Sequence, residues 1–216
     1  MDKRQDVFQD FEIPDPIRID KVLNIVSKNF NSNFKDLTVL ECGPVRGGLT
    51  DRMSKLGSLC FGVDINPRNL PGVETFVADL NEGFPPFEEK FDVIFAGEIM
   101  EHIFDDDAFL LNCKKLLSSR GILIITVPNL FFLPNRLMMI FGKMPMFSYE
   151  RYHYHMYGPR VIKQLFIKSG LNIFEFTSSH ILFSTRRNPV GKIFELLGDV
   201  FPALGAHLIV AAKPAD

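Results

Sequence analysis

The chain has 216 residues, of which 46% are hydrophobic, so it is long and apolar enough to form one sizeable buried core. Its formal net charge is −2, so the chain lacks the excess of basic residues that is typical of proteins that bind phosphate backbones. We therefore expect nucleic acid not to be a partner. No apolar run is long enough to span a bilayer, and the three cysteines are widely spaced in apolar segments. We therefore expect a cytoplasmic protein with reduced thiols and no transmembrane segment.

The first half of the chain alternates helix-like and strand-like segments. A helix is predicted from about Ile17 to Phe30. Five short apolar runs rich in β-branched residues follow, and they are typical of buried parallel strands: LTVLEC, LCFGVDI, VETFVADL, FDVIFAG and GILIITVP. The stretch DDDAFLLNCKKLLSS between the last two predicts a helix, since aspartates favour a helix N-terminus, and we expect Gly121 to end it.

The last third of the chain predicts one more helix, GPRVIKQLFIKSG, and two strands, NIFEFTSSHILFS and HLIVAAKP, that can pair antiparallel. This order of elements indicates an α/β fold with an open, doubly wound sheet whose ligands lie at the carboxyl ends of the strands. No linker is visible. We therefore expect a single domain over 1–216, with an N-terminal helical segment over about 1–35 and a lid-like insertion over about 129–157.

A glycine-rich turn, LECGPVRGGLT, follows the first predicted strand, which ends at Glu41. Glycines at Gly43 and Gly47 would let a ligand approach the backbone, and the N–H groups of the next helix can bind an anionic group. The second strand ends at Asp64, at the distance typical of an acid that binds ribose hydroxyls, and the third ends near Asp79. Tight-turn glycines and surface acids are the alternative, but three acids at successive strand ends favour a nucleotide-like cofactor.

Six motifs together resemble the class I S-adenosylmethionine-dependent methyltransferases, over nearly the whole chain from Leu37 to Lys213: VLECGPVRGG, GVDINP, VADLNEGFPP, FDVIFAGEIMEHIFD, LLSSRGILIITVPN and YGPRVIKQLFIKSGL. The chain is similar to the small-molecule O-methyltransferases of the ubiquinone-pathway type. The resemblance implies a Rossmann-like, seven-stranded, mostly parallel sheet with an antiparallel last strand, and S-adenosylmethionine as cofactor. It implies a cofactor site made of Glu41, Gly43, Gly47, Asp64, Ile65, Asp79, Leu80 and Gly97. In this set Glu41 and Gly43 would flank the methionine part, Asp64 would bind the ribose, and Asp79 with Leu80 would meet the adenine.

Val45 occupies the second glycine position of this turn. It excludes the G-x-G-x-x-G pattern of nicotinamide dehydrogenases, which use the same kind of sheet. It also departs from the methyltransferase pattern, which usually has glycine here. Because valine cannot take a positive φ cheaply, the turn either avoids that conformation or carries strain. A non-catalytic binding module with a decayed cofactor turn therefore stays open as an alternative.

A second motif, EIMEHIF, follows the fourth predicted strand. Glu98, Glu101 and His102 would share one face if this segment is helical, and the later RYHYH supplies His153. The motif resembles the E-x-x-E-H of ubiquinone-pathway O-methyltransferases and small-RNA 3′-end methyltransferases. That resemblance implies that Glu98, Glu101, His102 and His153 hold a divalent metal. Two alternatives stay open: His102 or His153 acts as a general base on an acceptor hydroxyl, or the residues belong to a solvated face.

The lid-like insertion contains a predicted short helix, PNRLMMIFG, and many Phe, Leu and Met residues. These side chains can form an apolar acceptor pocket, contact a membrane interface peripherally through 130–147, or pack on the core. We therefore expect a methyltransferase acting on a small apolar or aromatic acceptor, with oxygen as the preferred atom. Metal-assisted methylation of an RNA 3′ end is the alternative among enzymes. His180 and His207 are expected in the core or at a strand edge.

Overall fold

Seven strands form one mixed sheet in the computed structural model, which describes residues 15–146, 148, 152–182 and 189–215. The strands are β1 (Thr38–Cys42), β2 (Leu59–Asp64), β3 (Val73–Val77), β4 (Phe91–Gly97), β5 (Leu117–Pro128), β6 (Leu171–Ser178) and β7 (His207–Pro214). Their order across the sheet is β3-β2-β1-β4-β5-β7-β6, and only β7 runs antiparallel to its neighbours. The predicted Rossmann-like sheet with its antiparallel last strand is confirmed.

Among the described residues the helices are α1 (Pro16–Asn29), α2 (Leu49–Ser54), α3 (Asp106–Leu116), α4 (Leu133–Ile140), α5 (Pro159–Lys168) and α6 (Pro189–Val200). Two short 3₁₀ turns lie at Met100–His102 and Pro202–Leu204. No helix within the described ranges combines the length and the apolar character that crossing a bilayer would need. The part of the predicted N-terminal segment before Asp15 lies outside the described residues.

The core has two layers because helices bury both faces of the sheet. Alternate strand residues point to opposite faces: Val39 and Val93 meet α1 and α2, whereas Leu40 and Ile94 meet α3 and α5. Burial on both faces requires apolar residues at successive positions, which explains the continuous apolar runs in the sequence.

The helix α3 ends earlier than the sequence suggested, and the expectation that Gly121 terminates it is wrong. The helix stops at Leu116, and Gly121 lies inside β5. The reason is long-range, because Arg120 donates hydrogen bonds from Nε and Nη2 to Asp92 of β4, at 2.9 and 3.1 Å, and holds this stretch beside β4. A Cβ at position 121 would lie 2.7 Å from the Phe91 carbonyl oxygen, so the glycine is needed for close strand approach.

The three cysteines, Cys42, Cys60 and Cys113, are buried and free. Burial raises the pKa of the Cys60 thiol to about 12 and also raises the pKa of the other two. The thiols are therefore protonated core groups, as the sequence predicted.

Candidate active site

Backbone hydrogen bonds align the strand ends at the carboxyl edge of the sheet. The N–H of Gly43 donates to the carbonyl of Val63 at 2.8 Å, which joins the ends of β1 and β2. The N–H of Ala78 donates to the carbonyl of Asp64 at 2.9 Å, so Asp79 follows directly beside the end of β2. The acids predicted at successive strand ends therefore lie along one edge.

The glycine turn has the conformation that its sequence requires. Gly43 and Gly47 have φ of +69° and +79°, a region that favours glycine, whereas Val45 does not have a positive φ. The carbonyl of Val45 accepts a hydrogen bond from the N–H of Gly48 at 2.9 Å. The sequence left open whether the turn avoids a positive φ at Val45 or carries strain there. The structure shows that it avoids the positive φ.

Glu41 is buried and caps the N-terminus of α2. Its carboxylate accepts hydrogen bonds from the N–H of Leu49 at 3.2 Å and of Thr50 at 2.8 Å, and from the Thr50 hydroxyl. Burial raises the pKa of Glu41, against the opposing effect of these hydrogen bonds. The carboxylate therefore fixes the helix start behind the glycine turn, and its direct contact with a cofactor stays a prediction.

Asp64 lies at the end of β2 with both carboxylate oxygens engaged. Oδ1 accepts from the N–H of Asn66 at 2.7 Å, and Oδ2 accepts from Nε of Arg68 at 3.0 Å. Each oxygen keeps a further lone pair, so the side chain can still accept from the hydroxyls of a ribose. An open cleft of about 520 Å³ lies between the glycine turn and the loop after β2; its lining residues are Pro44, Val45, Arg46, Pro67, Arg68, Asn69 and Leu70.

Asn81 connects the loop after β3 with the E-x-x-E-H segment, a role that no sequence pattern indicates. Its N–H and its Nδ2 donate to Oδ1 of Asp79 at 3.0 and 3.1 Å. Its Nδ2 also donates to the carbonyl of His102 at 3.3 Å, while its Oδ1 accepts from the N–H of Phe104 at 2.8 Å. Asn81 therefore fixes the position of Asp79, the acid predicted to meet the adenine, relative to His102, the predicted catalytic histidine.

The other predicted cofactor residues lie at the same edge. Ile65 and Leu80 are half-buried in the loops after β2 and β3, and Leu80 packs against the core. Gly97 ends β4, where a Cβ would lie 2.6 Å from the ring of Phe95. These positions agree with a role in cofactor binding, which stays a prediction.

Glu98 does not share a face with Glu101 and His102, contrary to the helical arrangement expected from the spacing. Its φ is +58°, and the following 3₁₀ turn begins only at Met100, so the side chain turns toward α1. Oε1 accepts a hydrogen bond from the Thr126 hydroxyl at 3.1 Å and pairs with Nη1 of Arg18 at 2.8 Å. Glu98 is therefore not among the clustered ligand-type residues.

Glu101, His102 and His153 do come together. One ligand atom of each lies within 4.8 Å of the others, and the two imidazole rings are 4.7 Å apart in an edge-to-face arrangement. Nδ1 of His102 lies 2.9 Å from the carbonyl of Tyr152; since a carbonyl can only accept, Nδ1 carries the proton and Nε2 has a lone pair. Burial lowers the pKa of His102 to about 4, which keeps the ring neutral. A carboxylate and two imidazoles fit a divalent transition-metal ion.

Hydrogen bonds dock the RYHYH segment onto the turn after β4. The N–H of Tyr154 donates to the carbonyl of Glu101 at 2.8 Å. The buried hydroxyl of Tyr157 donates to Oδ2 of Asp106 at 3.0 Å and lies 3.3 Å from the carbonyl of Met100. Burial raises the pKa of Tyr157, so this hydroxyl stays a donor. These contacts explain why His153 reaches His102 across 50 residues of chain.

Arg18 is a buried arginine that the sequence analysis missed. It is 8% exposed and lies in α1 on the same stripe as the core residues Val22 and Ile25, at positions i, i+4 and i+7. A cation on an apolar stripe was the signal that could have identified it, because arginine is rarely buried without a partner. Its charge also acts to lower the pKa of Glu41, which places it near the glycine turn.

His180 and His207 lie at the carboxyl edge, beside α1. Nδ1 of His207 lies 3.0 Å from the Ser179 hydroxyl, and Nε2 lies 3.7 Å from Oε2 of Glu98. Burial lowers the pKa of both histidines. They are thus edge residues, as expected, and they belong to the same polar group as Arg18 and Glu98.

Within the lid-like insertion, the first turn of α4 packs on the protein. Phe132 is 5% exposed and Asn135 is fully buried. The side chains of the following turns are largely exposed: Leu137, Ile140, Phe141 and Met144. Core packing therefore does not account for these apolar residues, and both an acceptor-covering role and a membrane contact stay predictions. Residues 147 and 149–151 of this insertion lie outside the described residues.

Comparison with known proteins gives a family and a fold. The family described as a methyltransferase domain matches residues 17–175. A ubiquinone biosynthesis O-methyltransferase from Cereibacter sphaeroides is 28% identical over 130 residues, covering 53% of this chain and 53% of the relative. One of the same description from Pelagibacter ubique is 32% identical over 129 residues, with 53% of each chain covered. The chain thus spans about half the length of these curated relatives.

Solved structures with the same fold extend over nearly the whole chain. A magnesium protoporphyrin IX methyltransferase from Synechocystis PCC 6803 with bound SAH has a TM-score of 0.59 at 16% identity, covering 99% of this chain and 94% of that one. An S-adenosylmethionine-dependent methyltransferase from Clostridium acetobutylicum has a TM-score of 0.64 at 12% identity, covering 99% and 98%. Since the family match covers well over half of its residues, this chain belongs to the methyltransferase-domain family.

Proposed function

We propose that the chain is an S-adenosylmethionine-dependent methyltransferase that methylates a hydroxyl oxygen of a small, apolar or aromatic acceptor. One observation carries the proposal. Glu101, His102 and His153 come together at the same sheet edge as the glycine turn and Asp64, with Asn81 joining the two sides. Groups that can activate a hydroxyl thus lie next to the predicted cofactor site.

The cofactor side follows from the strand ends. Backbone N–H groups at the glycine turn and Asp64 offer donors and acceptors for the methionine part and the ribose diol. Arg18, buried near Glu41, supplies the positive charge that the methionine carboxylate requires. The bound SAH of the Synechocystis structure supports the same cofactor for this fold.

The acceptor side needs alignment and a means to remove the hydroxyl proton. Transfer from a sulfonium depends mainly on holding the attacking oxygen in line with the methyl group. Nε2 of His102 has a lone pair and can accept the proton, and the His153 ring lies beside it at a centroid distance of 4.7 Å. If held by Glu101, His102 and His153, a divalent ion would lower the pKa of the acceptor hydroxyl.

Calorimetry with S-adenosylhomocysteine tests the cofactor side. We expect a dissociation constant well below millimolar. A weaker constant would contradict the proposal and favour the non-catalytic binding module that Val45 left open. Native mass spectrometry of the purified protein adds an independent readout, since a retained nucleoside or acceptor identifies what the site holds.

Methyl transfer to catechol, before and after treatment with a chelator, tests the acceptor side. We expect His153→Gln to lose most of the activity. Arg160→Gln, at an exposed position near the start of α5, serves as the control, because Arg160 lies outside the clustered group. Activity that survives chelation would exclude a metal-assisted step and leave the histidines as bases. Transfer to the 3′ end of an RNA oligonucleotide, and not to catechol, would support the RNA alternative instead.

A further inference from the structure

Two pairs of rings join the same two chain segments beside the proposed acceptor site. The inner pair is His102 and His153. The outer pair is Phe104 and Tyr154, whose rings are stacked with centroids 4.1 Å apart and planes at 28°. Phe104 is 58% exposed and Tyr154 is 39% exposed, so this stacked pair, here called the aromatic platform, presents ring surface to solvent.

Hydrogen bonds hold the aromatic platform in place. The N–H of Phe104 donates to Oδ1 of Asn81 at 2.8 Å, and the N–H of Tyr154 donates to the carbonyl of Glu101 at 2.8 Å. Nε2 of His155 lies 3.3 Å from the carbonyl of Phe104 and adds a third link between the segments. A surface fixed by its own backbone loses little conformational entropy when a ligand binds to it.

The platform lies next to the two histidines along both chain segments, because Phe104 follows His102 by two residues and Tyr154 follows His153 directly. Next to the lid, the cavity that His153 lines has a volume of only about 20 Å³, which is room for about one water molecule. Phe104 is two residues from His102, so their Cα atoms are at most about 7 Å apart. A ring lying against the platform is therefore close enough for its substituent to reach the imidazoles.

The charge next to the platform indicates which acceptors fit. Three aspartates, at positions 105–107, follow Phe104, and Lys168 pairs with Asp107. The local charge is therefore negative, and it disfavours a carboxylate or phosphate on the acceptor.

We propose that Phe104 and Tyr154 bind the ring of a neutral hydroxylated aromatic acceptor by stacking, and present its hydroxyl to His102 and His153. This inference rests on the proposed function and assigns its acceptor class. Stacking supplies the selectivity for a flat π-surface, since aromatic pairs gain attraction beyond the burial of area.

Tryptophan fluorescence can test the platform, because the chain contains no tryptophan. Phe104→Trp places a single reporter on the platform, and Phe174→Trp, at a position on β6 that is 44% exposed, is the matched control. With S-adenosylhomocysteine present, we expect catechol to change the emission of the first variant in a saturable way and to leave the second unchanged. No saturable change at position 104 would overturn the inference.

Two further probes test the acceptor class. Cyclohexane-1,2-diol keeps the hydroxyls without the π-system, and 3,4-dihydroxybenzoate adds a carboxylate to catechol. We expect both to bind more weakly than catechol. Equal binding of the saturated ring would refute stacking, and equal binding of the carboxylate would refute the preference for a neutral acceptor.

Calorimetry separates failure of this inference from failure of the proposed function. In Tyr154→Ala we expect catechol to bind about tenfold more weakly, while the affinity for S-adenosylhomocysteine stays unchanged. Tyr154→Phe keeps the ring and should restore catechol binding. Wild-type protein that does not bind S-adenosylhomocysteine would contradict the proposed function, whereas intact cofactor binding with unaltered catechol affinity in Tyr154→Ala would contradict the platform alone.

Discussion

Nη1 of Arg18 lies 2.8 Å from Oε1 of Glu98, so an ion pair between a buried arginine and a half-buried glutamate joins α1 to the end of β4. The two side chains are 10% and 24% exposed, and the pair therefore lies in a region of reduced screening. It fixes Glu98 in its left-handed conformation and turns the carboxylate away from Glu101 and His102. The N-terminal helix thus helps decide which acids face the acceptor.

Replacing Arg18 by methionine should destabilise the protein, because the half-buried carboxylate of Glu98 would lose its charged partner. We expect a loss of about 1.5–3 kcal/mol in the free energy of unfolding, measured by urea denaturation. Glu98→Gln in the Arg18→Met background should recover part of this loss. Additive effects in that double-mutant cycle would show that the pair is not coupled.

Replacing Asp64 by alanine should weaken the binding of S-adenosylhomocysteine by about 1.5–3 kcal/mol, since hydrogen bonds to a charged group are lost. Calorimetry measures this difference directly. Glu89→Ala removes one acid from the loop before β4, at the opposite edge of the sheet, and should leave the affinity unchanged. The ribose assignment of Asp64 would be refuted if both variants bound the ligand as the wild type does.

The two left-handed glycines of the turn should respond differently to alanine. Both substitutions impose a positive φ on a residue with a Cβ, which costs about 1–2 kcal/mol. At Gly43 the new Cβ would also lie 2.8 Å from Cδ1 of Ile99, whereas no atom lies within 4 Å of it at Gly47. Thermal unfolding should therefore rank Gly43→Ala as less stable than Gly47→Ala, and the reverse order would contradict the geometry of the turn.

The stability of the fold should decrease at mildly acidic pH through His207. Burial lowers its pKa below the ordinary value of about 6.5, although Glu98 and Asp15 oppose the shift. Below about pH 6.5 the unfolded chain therefore binds more protons than the folded protein, and the free energy of unfolding falls as the pH falls. Each titrating group contributes at most about 1.4 kcal/mol per pH unit.

Urea denaturation of the wild type and of His207→Asn between pH 7.5 and 5.5 measures this contribution. Because other titrating groups cancel in the difference, the wild type should lose more stability than the variant as the pH falls. Equal slopes would show that the protonation of His207 is not linked to folding.

Much of the sheet follows from local sequence. The run FDVIFAG matches β4 residue for residue, and HLIVAAKP matches β7, because strands buried on both faces need apolar residues at successive positions. Parallel strands end at one edge of the sheet. The positions of Asp64 and Asp79 at the ends of successive strands therefore already predicted that the two residues lie close together. The convergence of Glu101 and His102 with His153 followed from the resemblance of the motif and not from its periodicity.

Tertiary contacts decided the rest. The direction of Glu98 depends on the sign of one φ angle and on Arg18, which lies 80 positions earlier, and local spacing encodes neither. The start of β5 at Leu117, before the predicted run GILIITVP, depends on the contact of Arg120 with Asp92 of β4. The role of Asn81 depends on the contact between two loops that are distant in sequence. The sequence by itself thus determined the fold and the edge that carries the site, because burial patterns are local. The directions and partners of polar side chains depend on distant segments, and only the folded structure fixed them.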